Sequence, residues 1–275
     1  MKNKEKIIIV VCIFLFIGGF LAQELFIKPK SRIVFCDVGQ GDGAFMNLKG
    51  GKQIVIDGGP DNSMIGCVGN YMPYFDREIE YLIVSHPDKD HFVGAIEVLK
   101  RYAVGAVITN GEMGDSPEYK EFLKLAEGKI IPAKDIDLNN GKINFYNRSD
   151  EKYSDNDNSL VFKFLYTPAS ILPLKKGEEG RGMSILFTGD ISEKRENALL
   201  SSDLKSDILK IAHHGSKESS SLDFLKAVSP KLAIVSVGAK NSFGHPAYII
   251  LKRLENLGIK YLQTDEAGDI VINFQ

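Results

Sequence analysis

The chain has 275 residues, 44% hydrophobic and 25% charged, an ordinary globular composition with ample length to bury a core. Three cysteines exclude a disulfide-rich scaffold and a cysteine-built zinc module. Lys and Arg number 34 against 36 Asp and Glu, so the net charge of −2 provides no general basic field for nucleic acid.

That balance is a sum of unlike parts. Residues 1–30 carry a net +3 and residues 31–275 a net −5, so any nucleic-acid contact by the body needs a local patch. Residues 7–22 contain no charge and follow a short basic start, the pattern of a membrane anchor or a signal. Cleavage after Ala22 would place Phe20 where a small residue is wanted, which favours an uncleaved anchor. Lys2, Lys4 and Lys6 argue for a cytoplasmic start, with the body outside the membrane, although Lys28, Lys30 and Arg32 weaken the asymmetry. The expected organisation is therefore an anchor or signal over 1–30 and one domain over 31–275. Cys36 and Cys67 either pair or stay free.

Strands are expected over Ile33 to Val38, Ala44 to Leu48 and Gln53 to Ile56, with Lys49 to Lys52 as a hairpin tip. From Tyr81 onward the pattern alternates. Tyr81 to Val84 reads as a strand, and Phe92, Ala95, Ile96, Leu99 and Ala103 follow helical spacing. Later strands are expected over Leu160 to Leu165, Ser184 to Phe187, Ile208 to Ala212 and Leu232 to Val237. Helices are expected near 192–201, 221–228 and 247–257, and surface loops over 147–158 and 175–182. Hairpins mixed with strand–helix units suggest an α/β chain of two sheets sandwiched between helices. No internal repeat is visible.

Ser85-His86-Pro87-Asp88-Lys89-Asp90-His91 lies between a strand and an amphipathic helix, placing four metal-capable groups within six residues. Imidazole and carboxylate together suit zinc, manganese or iron. The plain alternative is a solvated acidic turn capped by Asp90. The remaining histidines decide for metal. His213 and His214 follow one strand, His245 lies in the loop after another, and Asp190 closes Thr188-Gly189-Asp190 where a third stops. All five histidines of the chain thus fall at strand ends, where open α/β sheets place their sites.

These motifs resemble the metallo-β-lactamase-fold hydrolases, and more narrowly the hydrolase domain of ComEC-type DNA-uptake (competence) proteins. The supporting strings run in the expected order over roughly 32–275. They are Phe35 to Asp42 (FCDVGQGD), Ile56-Asp57-Gly58-Gly59, Ser85 to His91, Ala212-His213-His214-Gly215-Ser216 and Gly244-His245-Pro246. The resemblance implies an αββα sandwich, here preceded by one N-terminal hydrophobic helix, with two divalent ions, zinc or manganese, between the sheets. It implies His86 and Asp88 on one ion, Asp90 and His91 on the other, Asp190 bridging, and His214 and His245 completing the set. Asp90 is thereby both ligand and catalytic residue. His213 is assigned to substrate or proton transfer. Asp37, Asp57 and Asn158 are assigned to orienting ligands, and Ser216 and Lys217 to a substrate phosphate. The two aspartates would otherwise satisfy turn amides, and the serine and lysine would otherwise belong to a solvated loop. Asp88 and Asn158 stand where the wider family has histidine, which enriches the site in oxygen and moves the expectation toward manganese. The multi-span channel that accompanies this domain in DNA-uptake proteins is missing from the chain.

The expected function is metal-dependent hydrolysis, in which the ions bring the pKa of a bridging water toward about 7. A phosphodiesterase or nuclease acting on DNA at the membrane face is the first expectation. A hydrolase of a small ester, lactam or choline-phosphate substrate is the second, and a binding protein with a degenerate metal site is the third. No obligate protein partner is expected.

Overall fold

The computed structural model describes residues 3–26, 31–146, 155–167 and 182–274. Helix α1 (Asn3–Phe26) exposes apolar side chains from Ile8 to Ile17. Among the described residues no helix is long and apolar enough to cross a membrane, so the expected anchor over 7–22 has no support from the fold.

The body begins with three antiparallel strands, β1 (Arg32–Phe35), β2 (Gly43–Leu48) and β3 (Lys52–Gly58). Helix α2 (Ser63–Tyr71) then crosses to β4 (Glu78–Val84), α3 (Lys89–Arg101) to β5 (Ala103–Thr109), and α4 (Pro117–Leu125) to the short β6 (Ile130–Ile131). These later strands add in parallel, as crossover helices require. The second sheet repeats the plan. β7 (Ile136–Leu138), β8 (Gly141–Phe145), β9 (Phe162–Tyr166) and β10 (Met183–Phe187) are antiparallel. After α5 (Glu193–Leu199), β11 (Ile208–Lys210) adds in parallel, followed through α6 (Leu222–Val228) by β12 (Leu232–Val235) and through α7 (Tyr248–Asn256) by β13 (Lys260–Gln263). One turn, α8 (Thr264–Ala267), leads to β14 (Ile270–Asn273), which returns to the first sheet and pairs antiparallel with β1. The orders are β14-β1-β2-β3-β4-β5-β6 and β13-β12-β11-β10-β9-β8-β7.

Three buried layers follow from the alternation of side chains along these strands. One face of the first sheet (Val34, Phe45, Val55, Leu82, Val107) packs on α2, α3 and α4 through Met64, Phe92, Val98 and Phe122. The opposite faces of the two sheets meet through Phe35, Ile54, Ile83, Phe162, Phe187 and Ile234. The outer face of the second sheet (Leu186, Leu209, Val235) packs on Leu199, Leu225 and Leu254 of α5, α6 and α7. This is the expected αββα sandwich. A stacked aromatic run at its centre, with Phe162 to Phe187 at 4.9 Å and Phe35 to Phe187 at 5.9 Å, joins the sheets.

Several boundaries differ from the sequence expectation, each for a local reason. The strand expected to reach Ala212 ends at Lys210, because His213 and His214 take positive φ (51° and 52°) in a tight 3-10 turn. Ala103 continues the helical spacing but opens β5, since the backbone turns extended at Tyr102. Helix α2 was hidden by its glycines, and α4 by its shortness, although Ser116 caps α4 with Pro117 next in line. Cys36 and Cys67 form a disulfide that ties the end of β1 to α2. Of the expected surface loops, 155–158 forms one 3-10 turn and Gly182 leads into β10. Residues 147–154 and 175–181 lie outside the described residues.

Candidate metal centre

The parallel strands of both sheets end on the same side, and the metal-capable groups lie on the loops leaving them. Ser85 to Asp88 follow β4, and Asp90 and His91 occupy the first turn of α3. Asp190 follows β10, and His213 and His214 follow β11. His91 Nε2 lies 3.3 Å from Asp190 Oδ2 and 4.0 Å from Asp90 Oδ2. His214 Nε2 lies 3.3 Å from a carboxylate oxygen of each aspartate. Candidate ligand atoms of Asp90, His91, Asp190 and His214 all fall within 4.8 Å of one another.

His86 adjoins this group, its ring centroid 4.1 Å from that of His91, with Asp88 Oδ2 at 3.6 Å from His86 Nε2. His213 Nε2 stands 3.8 Å from Asp190 Oδ2 and its side chain is 31% exposed. The His245 ring packs 5.8 Å from His213 and 6.5 Å from His214. It follows Gly244 and precedes Pro246 through a cis peptide bond.

The donor set fits divalent cations. The Nε2 atoms of His86, His91 and His214 and the Oδ1 atom of Asp190 are buried without a hydrogen-bond partner, a costly arrangement unless something else binds them. Their other ring nitrogens are occupied. His91 Nδ1 lies 3.1 Å from Asp57 Oδ2, His86 Nδ1 lies 3.0 Å from Ser85 Oγ, and His214 Nδ1 lies 3.0 Å from the Ser236 carbonyl oxygen and 3.2 Å from Asp42 Oδ1. Protons on the Nδ1 atoms leave the Nε2 lone pairs facing the cluster, as metal-bound histidines require. Asp57 is itself fixed, accepting from the Ser85 amide at 2.7 Å and hydroxyl at 2.9 Å. Asp42 is paired with the buried Lys210 ammonium at 2.6 Å.

The charges are strongly coupled. Burial would raise the Asp190 carboxyl, but His214 and His91 outweigh it and hold it well below the usual carboxylate range. For Asp42, Lys210 and then His214 overcome the same burial cost and keep it ionised far into acid. Burial opposes charge on His91 and His214, yet Asp190, with Asp57 beside one ring and Asp42 beside the other, raises both well above 6.5. His245 moves the other way, lowered by burial and then by the two neighbouring histidines.

Asp37 is exposed. Its Oδ1 accepts from the Gly39 amide at 3.2 Å, and the aspartate of that loop that faces the cluster is Asp42. Asn158 donates its side-chain amide to Glu112. Its neighbour Ser159 is the residue that holds Asp190, accepting from the Asp190 amide at 3.1 Å and donating to the Asn156 carbonyl at 2.6 Å. Ser216 is buried, and its hydroxyl accepts from the Glu218 amide at 3.4 Å, whereas Lys217 is exposed. Ser85, Lys210 and Ser159 were not singled out from the sequence. A lysine inside the apolar string Ile208 to Ala212 is the one signal that could have found Lys210. An open groove of about 570 Å³ borders the cluster beside His86, Asp88, Glu112 and Asn156.

No protein-family model matches the chain. Recombination protein 2 of Haemophilus influenzae is 30% identical over 283 residues, covering 100% of the chain and 33% of its own length. ComE operon protein 3 of Bacillus subtilis is 26% identical, covering 91% of the chain and 34% of its own length. Competence protein ComA of Neisseria gonorrhoeae is 28% identical, covering 92% and 34%. The chain therefore spans about a third of the length of the curated relatives it matches. Among solved structures, a long-form RNase Z from yeast has a TM-score of 0.53 at 10% identity, covering 90% of the chain and 42% of its own. Igni18, a metallo hydrolase of Ignicoccus hospitalis, gives 0.52 at 13%, covering 89% and 100%. The β-hydroxylase CmlA gives 0.54 at 11%, covering 89% and 54%. At these identities the likeness shows the fold alone, and a hydroxylase, a ribonuclease and a metallo hydrolase share it.

Proposed function

From a chain that has the metallo-β-lactamase fold and resembles one third of the competence proteins, we propose a divalent-metal-dependent phosphodiesterase acting on DNA. The observation that carries it is the convergence of the buried His91 and His214 Nε2 atoms, neither in a hydrogen bond, on the carboxylates of Asp90 and Asp190. Asp90, His91, Asp190 and His214 would hold one ion, and His86 and Asp88, with Asp190 shared, the other. Mixed nitrogen and oxygen donors suit zinc or manganese. When bound, such ions acidify water and stabilise charge developing on a phosphate or carbonyl.

The chain's own residues do the rest. Asp57 keeps the Nδ1 proton of His91, and the Ser236 carbonyl, with the Asp42 carboxylate beside it, keeps that of His214, so both rings present Nε2. Lys210, more than His214, keeps Asp42 ionised against the cost of its burial. Ser159 fixes the Asp190 backbone and thereby where that carboxylate points. His213, partly exposed and 3.8 Å from Asp190, is placed to exchange a proton with the leaving oxygen. Exposed Lys217, three residues beyond His214, would meet a substrate phosphate.

The body's charge of −5 favours a second reading, hydrolysis of a small ester, lactam or choline-phosphate substrate. One comparison separates them. Purified full chain is assayed for bound metal and for turnover of single-stranded DNA, a chromogenic phosphodiester and a chromogenic lactam, beside Asp90→Ala and His91→Ala. Metal-dependent DNA cleavage that falls at least about 10²-fold in both variants is expected. Absence of metal and of mutation-sensitive turnover would overturn both hydrolase readings.

The same reading places the body outside the cytoplasm, tethered or exported by residues 1–30. Its support is the disulfide, which persists in oxidising compartments, together with the basic, then apolar, start. Cell fractionation is expected to recover the protein with the membrane or outside the cell. A freely soluble cytoplasmic pool would refute this.

A further inference from the structure

Phe243 is a large aromatic side chain left 68% exposed beside a metal-capable cluster. Its ring lies flat against His245, with centroids 5.8 Å apart and an interplanar angle of 24°. The phenyl ring is therefore largely open to solvent while it stands next to a residue of the site. His245 in turn contacts the rings of His213 and His214, so Phe243 is one ring removed from the cluster.

The loop holding it is fixed. Asn241 Oδ1 accepts from the amides of Phe243 and His245, both at 3.1 Å, and Asn241 Nδ2 donates to the carbonyls of Gly238 at 3.0 Å and His245 at 2.7 Å. One side chain thus satisfies four backbone groups and holds the turn closed. Gly238 donates to Gln40 Oε1 at 3.2 Å, and Ala247 donates to the Gly215 carbonyl at 2.8 Å, which anchors both ends of the loop to neighbouring loops of the site. An exposed apolar ring on a loop this constrained costs solvation and has little freedom to lose on binding. Exposed Lys240 in the same loop and exposed Lys217, two residues beyond Gly215, are cationic residues on the two loops that the Ala247 to Gly215 hydrogen bond joins. An aromatic platform flanked by lysines is what a single nucleic-acid strand requires. Bases stack on the ring and phosphates meet the cations.

We propose that Phe243 is the platform on which a base of a single-stranded DNA substrate stacks, setting the neighbouring phosphate over the metal-capable cluster. This rests on the DNA-directed reading above and adds to it how the strand is held. A base must be present and unpaired to use the platform, so the preferred substrate is single-stranded and base-bearing.

The chain contains no tryptophan, so Phe243→Trp places a sole indole at the platform. In chelator, where cleavage cannot proceed, this full-length variant is titrated with a short single-stranded oligodeoxynucleotide and with an abasic strand of the same length. Quenching of the indole by the base-bearing strand and not by the abasic one is expected. Wild type, Phe243→Leu and Phe243→Tyr are then compared for binding of both strands. Loss of stacking should weaken base-bearing strand binding by Phe243→Leu about 5- to 150-fold, with Tyr restoring it and the abasic strand unchanged. Equal binding of both strands by wild type, or binding of neither, overturns the platform. Base-dependent binding without metal-dependent cleavage would retain the platform and remove the hydrolase. Cleavage abolished by Asp90→Ala with base-independent binding would do the reverse.

Discussion

Lys210 shows how one side chain can govern a site it does not enter. It is buried at the end of β11, donates to the Ile211 carbonyl at 2.9 Å and holds Asp42, which reaches His214. The pairing joins residues far apart in sequence, so nothing local in either string announces it. The ligand candidates themselves were legible because four of them lie within six residues and the rest sit where apolar strings stop. Asp42 was visible only as part of a glycine-rich string, and Ser159 was passed over for Asn158, because the sequence does not show which way a turn aims its side chains. The coupled charges give a prediction at this scale. His91 and His214 are raised above 6.5 in the metal-free fold, so their contribution to stability is full below 6.5 and is lost as pH rises through the higher folded value. Asp42 and Asp190 are depressed, so theirs is present above about 3.8 and lost as pH falls through the folded value. Metal-free Tm, followed by calorimetry in chelator, should therefore peak in mild acid and decline through neutrality. Adding zinc or manganese should move the optimum upward, since the cation needs bare Nε2 atoms. A metal-free Tm that climbs steadily to alkaline pH would contradict this.

Among the elements, α3 carries the most constraint. Its first turn supplies Asp90 and His91, and its body lies so close to β3 that a Cβ on Gly94 would collide with the carbonyl oxygens of Gly58 and Asp61. The loop before β2 is equally tight, where a Cβ on Gly41 would collide with the Asp90 carbonyl and Asp42 donates its amide to that same oxygen at 3.1 Å. The helix was read from its apolar spacing, but its closeness to the sheet was not, because glycine within a helix gives no sign of what it faces. Gly94→Ala must push α3 away from β3 and carry two ligand candidates with it. A loss of about 3 kcal/mol or more in urea unfolding is expected, together with weaker metal uptake. A variant with wild-type stability and affinity would show that the contact yields without cost.

In the molecule as a whole, the strands legible in the sequence carry a buried apolar run, such as Leu82 to Val84 of β4, Ile185 to Phe187 of β10 and Ala233 to Val235 of β12. β5, interrupted by Gly105, and the shorter or more exposed β6, β7, β8, β13 and β14 were not legible. No internal repeat is visible in the sequence, yet each sheet has three antiparallel pairings followed by three parallel ones. Asp57 at the end of β3 and Asp190 after β10 leave corresponding strands, as do His86 after β4 and His213 after β11. The cluster is therefore assembled from equivalent ends of two similarly built halves. The outermost strands have another consequence. β14 and β13 are four residues long, β7 three and β6 two. Each sheet thus ends in strands too short to template a neighbour, which protects a chain rich in buried β-structure from edge-to-edge aggregation.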